Sequence, residues 1–571
     1  MALIDKASLL FVPSVVAEGK AFNVLPSGNR APDNKGGAGY DQTRADFDFD
    51  RGSNTAATRI GSDGLLKKYR ENLLTYSNVF SNGVWAKSNL SVASSNGAWE
   101  VTDNTTSGSH YLYWGGTTPS SSVLTLSVEA KAGSVNYLVM RLGGFTYAYF
   151  NLSNGTLGAI HPSFIDAKIE ETSDGFYRCS ATILTPSSGN ASVFYPSDNS
   201  SNVSYTGTGA VAITIKNAQL ETGLVATDVL TSGATTGKAG VLVDLPRINY
   251  DANGENGALL LEPSRQQLFQ YSEYLSTFGG TATINDNAII SPEGLQNAAE
   301  VVLSASGTDS FYKEVAVTAN TQYTLSFYVK QGSNTNNQLA VRDQTNSTFI
   351  ATDVSYTASS TEWKRIEYTF TTPAGCVEAR IYPHRSSLSS IGNGYFYGLQ
   401  VEAGSYSTSY IPNHGTSGGV TRAADSCSVT GASDVIGQTE GTLFMDVNLS
   451  ARDSFTYFVI APNLATTSAY IGIGITVTAF SFEVLNSGIQ VAYNYSNSST
   501  GNFKIAFAYK ANDFVAYVNG TQVMTDTSGS VPACSQIGLN NYDKDQPLLY
   551  KQAVLFNERL TNEELATLTT L

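Results

Sequence analysis

The densest group of side chains able to do chemistry is aromatic. Tyr111-Leu112-Tyr113-Trp114 is followed by Phe145, Tyr147 and Tyr149. Aromatic faces stack on pyranose rings, while phenols, amides and carboxylates hydrogen-bond sugar hydroxyls, so the chemistry this group fits is saccharide binding. On a strand, Tyr111 and Tyr113 point to one side and Leu112 and Trp114 to the other. One side must be core, and alternation alone does not say which. Tyr111, Tyr113, Trp114, Tyr147 and Tyr149 are therefore all kept as candidate carbohydrate-binding residues. Trp363 takes the place of Phe176 in a second, related segment and reads as core, while Trp85 and Trp99 stay open.

Catalytic constellations are not legible. A glycanase needs paired carboxylates flanking the scissile bond, and no strand in residues 438–571 presents alternating acids on one face. His110, His161, His384 and His414 are isolated, and no Gly-x-Ser-x-Gly elbow occurs. A non-enzymatic protein is expected. Glu221 and Glu402 recur at equivalent places and read as structural, pairing with Lys131 and Lys330 or tying down a strand end. No cofactor is certain. For a structural Ca²⁺ the candidate ligands are Asp174, Asn541 with Asp543 and Asp545, and Asp251 with Asn253, none with EF-hand spacing.

The elements that must position these residues occur twice. Glu71 to Ser77 (ENLLTYS) is answered by Gln266 to Ser272 (QQLFQYS), and Leu124 to Ser134 by Tyr323 to Ser333. Gly175 to Thr182 is answered by Glu362 to Thr369, and Ala218 to Gly223 (AQLETG) by Leu399 to Gly404 (LQVEAG). Four anchors in one order define a repeat of domain size. Within each repeat, short alternating runs lie between Ser/Gly/Asn turns: Val123 to Val128, Tyr137 to Arg141, Tyr147 to Leu152 and Val211 to Ile215, then Thr324 to Val329, Arg365 to Phe370 and Tyr395 to Val401. That pattern predicts antiparallel β-sandwiches.

The remainder has other rhythms. Phe503 to Tyr509 and Phe514 to Val518 predict a hairpin, Asn519-Gly520 a tight turn, and Thr561 with Glu564 a capping box for a terminal helix. Gly28 to Gly39 has loop chemistry, Ala45 to Arg51 alternates like a strand, and Ala57 to Leu65 reads as strand, turn, strand. These first 70 residues are too small for a core of their own and should order against another chain or the first repeat. Removing them should leave the other modules folded. The linker carrying Leu245 to Tyr250 and Leu259 to Pro263 is too apolar for a flexible tether and should pack on its neighbours.

Composition agrees. Only 14% of the 571 residues are charged, the net charge is -15, and Thr, Tyr, Val and Phe suit pleated surfaces. Excess negative charge argues against nucleic-acid partners. No stretch approaches the ~18 apolar residues of a membrane span, and the start has no signal-peptide pattern. Cys179 and Cys376 read as small buried hydrophobes, and whether Cys427 and Cys534 pair is left open.

Residues Glu71 to Trp85, the closing Gln219 to Gly223 with Ala226-Thr227, and Gln400 to Gly404 with Ser407 to Ile411 resemble carbohydrate-binding-module-like jelly rolls of tailed-bacteriophage virion proteins. Phe49 to Leu65, and Pro246 to Tyr250 with Leu259 to Pro263, look like the preamble of such proteins. Tyr517 to Gly520 with Leu560 to Leu565 is similar to concanavalin A-like or laminin-G-like domains. The resemblance implies an all-β fold of tandem antiparallel sandwiches behind a small irregular anchoring segment. The implied order is an anchor at 1–70, a module at 71–231, a packed linker at 232–265, a second module at 266–415, a linker at 416–437 and a jelly roll at 438–571. It also implies a head or tail fibre protein assembled in the host cytoplasm. Such a protein would attach to other virion proteins through residues 1–70, bind host-surface or mucus glycans, and form a homo-oligomer, in fibres a trimer. The alternatives are a purely structural capsid or tail component and, third, a polysaccharide depolymerase.

Overall fold

The computed structural model describes residues 3–25, 46–52, 56–305, 307, 309–385, 390–541 and 546–571. The chain is all-β, with antiparallel pairing throughout the described strands and one terminal α-helix. Three sandwiches account for nearly all of it.

The first stacks two six-stranded sheets. One contains Val123–Ala132, Tyr177–Leu184 and Val211–Thr222. The other contains Tyr111–Trp114, Tyr137–Gly143, Tyr147–Asn151 and Ala191–Ser197. Between them lies an apolar core built around Trp85, Leu126, Met140, Phe150 and Phe194. The second sandwich repeats the plan with five strands per sheet around Phe311, Leu325, Phe327, Val341 and Phe396.

The anchors shared by the two repeats turn out to be shared hydrogen bonds. Asn72 accepts from the amides of Leu74 and Leu220, as Gln267 accepts from those of Phe269 and Val401. Glu221 accepts from the Thr227 amide and hydroxyl and from Gln219 Nε2, and Glu402 does the same with Thr408 and Gln400. Burial pushes both carboxyls up. These glutamates fasten the loop that follows the closing strand, as expected of a structural role. The partners are threonine and glutamine rather than Lys131 and Lys330.

The third sandwich is assembled from distant parts of the chain. Glu440–Leu449 and Leu548–Phe556 form the centre of one sheet. Ala7–Phe11 pairs with Leu548–Phe556, as does the linker strand Ala258–Leu261. In the facing sheet, Phe47–Asp50 pairs with Ser426–Val429. Within this chain, the strands Ala7–Phe11 and Phe47–Asp50 thus order against the third sandwich rather than against the first repeat, the partner within the chain that the sequence suggests. Leu9, Phe11, Phe47 and Phe49 complete a core containing Leu443, Phe458 and Phe507, and that apolar complementarity decides the partner. The linker at 232–265 packs as expected, and as strands. Gly28 to Gly39, Ala45, Asp543 and Asp545 lie outside the described residues.

Local readings hold elsewhere. Gly501–Lys510 pairs with Phe514–Val518, and Asn519 and Gly520 have φ of 48° and 79°, as a type I′ turn requires. Asn562–Thr569 is the terminal helix, capped by Thr561 and Glu564. The four cysteines are free and buried.

A buried ion cluster joins the parts. Arg247 contacts Glu262 at 2.7 Å and also pairs with Asp425, while Arg422 lies 2.8 Å from Glu262 and Arg51 3.5 Å from Asp425. Ser409 donates its amide and hydroxyl to Glu262. All five charged side chains are buried. Burial would raise the Glu262 carboxyl, but Arg422 and Arg247 outweigh it and hold it at about 2. The preamble, the linker and the end of the second repeat thus meet at one point. Lys68, held 2.8 Å from both Glu273 and Glu293, pins the preamble on the second repeat.

Candidate functional site

In each of the first two sandwiches one sheet has an outer face covered by aromatic rings. In the first, Tyr111, Tyr113, Tyr137 and Tyr147 are half-buried around Tyr149 and Tyr195, which form the floor. Tyr195 lies 5.5 Å from Tyr111 and 5.9 Å from Tyr147, centroid to centroid. Burial pushes the Tyr195 phenol up to about 12, so it is neutral at ordinary pH. Asn151 donates to the Tyr137 hydroxyl, and the Arg141 guanidinium lies 4.3 Å from the Phe145 ring, which is 78% exposed. Rings, phenols, an amide and one cation share one surface, and this set can stack on a sugar and bond its hydroxyls.

Alternation puts Tyr111, Tyr113, Tyr147 and Tyr149 of the five expected residues on this face. Trp114 is the exception. It points inward with Leu112, is 4% exposed, and pairs across the ladder with Trp85. A Cβ at Gly116 would come within 2.2 Å of the Trp114 ring, so the neighbouring loop is shaped around the indole. Trp114 therefore leaves the binding set. Trp114→Ala is expected to cost about 3–5 kcal/mol of first-sandwich stability through the cavity it leaves, read as a lower denaturant midpoint. A stable variant with weakened glycan binding would contradict the core placement.

Trp85 is core. Trp99 is half-buried against that core, its indole N–H donating to the Asn78 carbonyl. Trp363 is not in the second core. It is half-buried beside Leu66, Tyr328 and Tyr410, donates to the Ile290 carbonyl, and lines a cleft of about 590 Å³ with Arg59, Asn253 and Arg365. The preamble packs there and creates a wall that the repeat alone lacks.

The second repeat carries a matching outer face that composition does not flag. Tyr312 and Tyr382 lie 5.3 Å apart, Phe349 is 6.3 Å from Tyr382 and 43% exposed, and Arg380 stacks 4.2 Å from the Tyr312 ring. Tyr195-Pro196 corresponds to Tyr382-Pro383 by register: Val139 faces Tyr195 and Ala340 faces Tyr382. Extending the repeat alignment through that Tyr-Pro pair would have found the second face.

The proposed ion ligands have other work. Asp174 pairs with Lys216, and Asp251 caps its own turn by accepting from the amides of Asn253 and Glu255. The Asn541 amide contacts the Leu464 carbonyl. Among the described residues, no group of three His, Cys, Asp or Glu could hold a metal ion. His110 and His384 are buried in separate sandwiches, and burial lowers His384 to about 4, keeping it neutral.

Parts of the chain are similar to known proteins. Over 141 residues the chain is 33% identical to the tRNA3(Ser)-specific nuclease WapA of Bacillus spizizenii and 32% identical to the tRNA nuclease WapA of Bacillus subtilis. Each match covers 23% of this chain, which spans about 6% of the length of these relatives. Among solved structures, the CBM40 of the Ruminococcus gnavus IT-sialidase bound to α2,3-sialyllactose is 11% identical, with a TM-score of 0.21, over 24% of this chain and 84% of that one. The CBM22-1–CBM22-2 tandem of Paenibacillus barcinonensis Xyn10C is 12% identical, with a TM-score of 0.20, over 62% of this chain and all of that one. Residues 304–387, which hold Tyr312, Phe349, Arg380 and Tyr382, match the sequence profile of a family described as a carbohydrate binding domain.

Proposed function

We propose that this protein is a non-enzymatic glycan binder that uses the outer aromatic faces of its first two sandwiches. The observation that carries the reading is the coincidence of the carbohydrate-binding-domain match with the strands bearing Tyr312, Phe349 and Tyr382. The register-matched tyrosine face of the first repeat supports it. Two faces on one chain, multiplied by oligomerisation, would turn individually weak contacts into useful avidity. In the context the sequence resembles, the protein is a virion fibre or appendage, in fibres a trimer, adhering to host-surface or mucus glycans. A purely structural virion component is the second reading, favoured by the way the preamble and linker are woven into the third sandwich.

Binding of the purified chain to intact host cells and to mucin, with competition by soluble glycans, tests the proposal. Saturable binding that soluble glycan displaces is the expected result. Binding that no glycan displaces would favour the structural reading.

A further inference from the structure

The two faces match in register but not in charge. In the first repeat one cross-strand row reads Tyr113, Val193, Arg141, Tyr147. The equivalent row in the second reads Glu314, Arg380, Arg342, Phe349. Arg141 is committed, donating to the Gly144 carbonyl and lying over Phe145. In the second repeat, Glu314 engages Arg380, with Arg380 Nε 2.8 Å from its carboxylate. Arg342 sits directly opposite Arg380 and donates to the neutral Gln344 side chain. A third guanidinium, Arg385, lies 4.8 Å from the centre of the Phe349 ring and 5.1 Å from that of Tyr382. Glu378 is exposed at the far end of the Arg380 strand.

Like charges directly opposite on neighbouring strands destabilise a sheet. The Arg342–Arg380 pair is therefore a poor folding device, and it stands out on a chain of net charge -15. Arg342 and Arg385 flank the exposed Phe349 from two strands. A guanidinium seated on a ring keeps its N–H fork directed outward in the plane, and that fork matches a carboxylate or sulfate.

Resting on the glycan-binding reading above, we infer that the second face selects glycans bearing an anionic group, held between Arg342 and Arg385 while the sugar ring stacks on Phe349. The first face, with its tyrosines and one committed arginine, takes neutral glycans.

The test uses the full chain and three matched oligosaccharide sets: neutral, uronate-bearing and sulfated. Titration calorimetry at low and raised salt reads each affinity. At least one anionic set is expected to bind about tenfold or more tighter than the neutral set, with the advantage shrinking in salt. Arg385→Gln and Arg342→Gln should each remove most of that advantage without lowering the unfolding midpoint, which relief of the Arg342–Arg380 repulsion can only raise, and without weakening neutral-sugar binding by the first face. The uronate and sulfate arms then say which anion is preferred. Tyr147→Ala, on the first face, should weaken neutral binding alone. Equal affinity for all three sets, or an anionic preference that survives both arginine substitutions, would overturn the inference and leave glycan binding standing. Binding to none of them at any salt would instead remove the reading on which it rests.

Discussion

Deletion of residues 1–50 is expected to unfold the third sandwich while the first two stay folded. Ala7–Phe11 hydrogen-bonds to Leu548–Phe556, a central strand of one sheet, and Phe47–Asp50 pairs with Ser426–Val429 in the other. Leu9, Phe11, Phe47 and Phe49 are buried in the same core. Each such side chain contributes about 1.5–3 kcal/mol on burial, together about 6–12 kcal/mol. That rivals the ~5–15 kcal/mol total stability of a domain. Limited proteolysis of the truncated chain, with fragments mapped by mass, reads the outcome. Rapid loss of residues 426–571 with fragments spanning 71–415 surviving is predicted. A truncated chain as resistant as the intact one would mean that these strands are dispensable.

The second large effect concerns the buried ion cluster. Glu262→Gln leaves Arg247 and Arg422 without the carboxylate both share, and breaking a buried pair in this way costs about 3–5 kcal/mol. The pH dependence has a definite sign. The folded carboxyl sits at about 2, below its ordinary 4.5, so its contribution is present above pH 4.5 and lost as pH falls toward 2. A depression of that size corresponds to about 3 kcal/mol. Denaturant unfolding of wild type and Glu262→Gln should therefore differ most near neutrality, with the gap narrowing from pH 4.5 downward. Parallel curves at all pH values would show that Glu262 is not the ionised partner of the arginines.

Much of the fold was legible because its signals are local. Alternation at Val123 to Val128 and Thr324 to Val329, the Asn519-Gly520 turn and the Thr561 capping box each depend on neighbouring residues. The repeat was legible because the same hydrogen bonds need the same side chains, as at Glu221 and Glu402. The partner of the N-terminal strands was not, since Ala7 and Phe556 lie at opposite ends of the chain and alternation carries no address. The candidate site divides in the same way. A period of two groups Tyr111 with Tyr113 against Trp114, but which group faces the core depends on the opposing sheet. The second face is not legible in the local sequence, because its cations and rings are spread over strands from Ser310 to Arg385 and converge through cross-strand register.

The central claim, that register-matched outer faces bind sugar, is tested most directly on a glycan array. Wild type is set against Tyr147→Ala, Phe349→Ala and the double variant, each checked for an unchanged unfolding midpoint. Each single variant is expected to weaken binding to part of the array about tenfold, the size of an aromatic contact worth ~1.4 kcal/mol, and the double variant to weaken it throughout. Array binding that is unchanged in the folded double variant, or absent in wild type, would contradict the account.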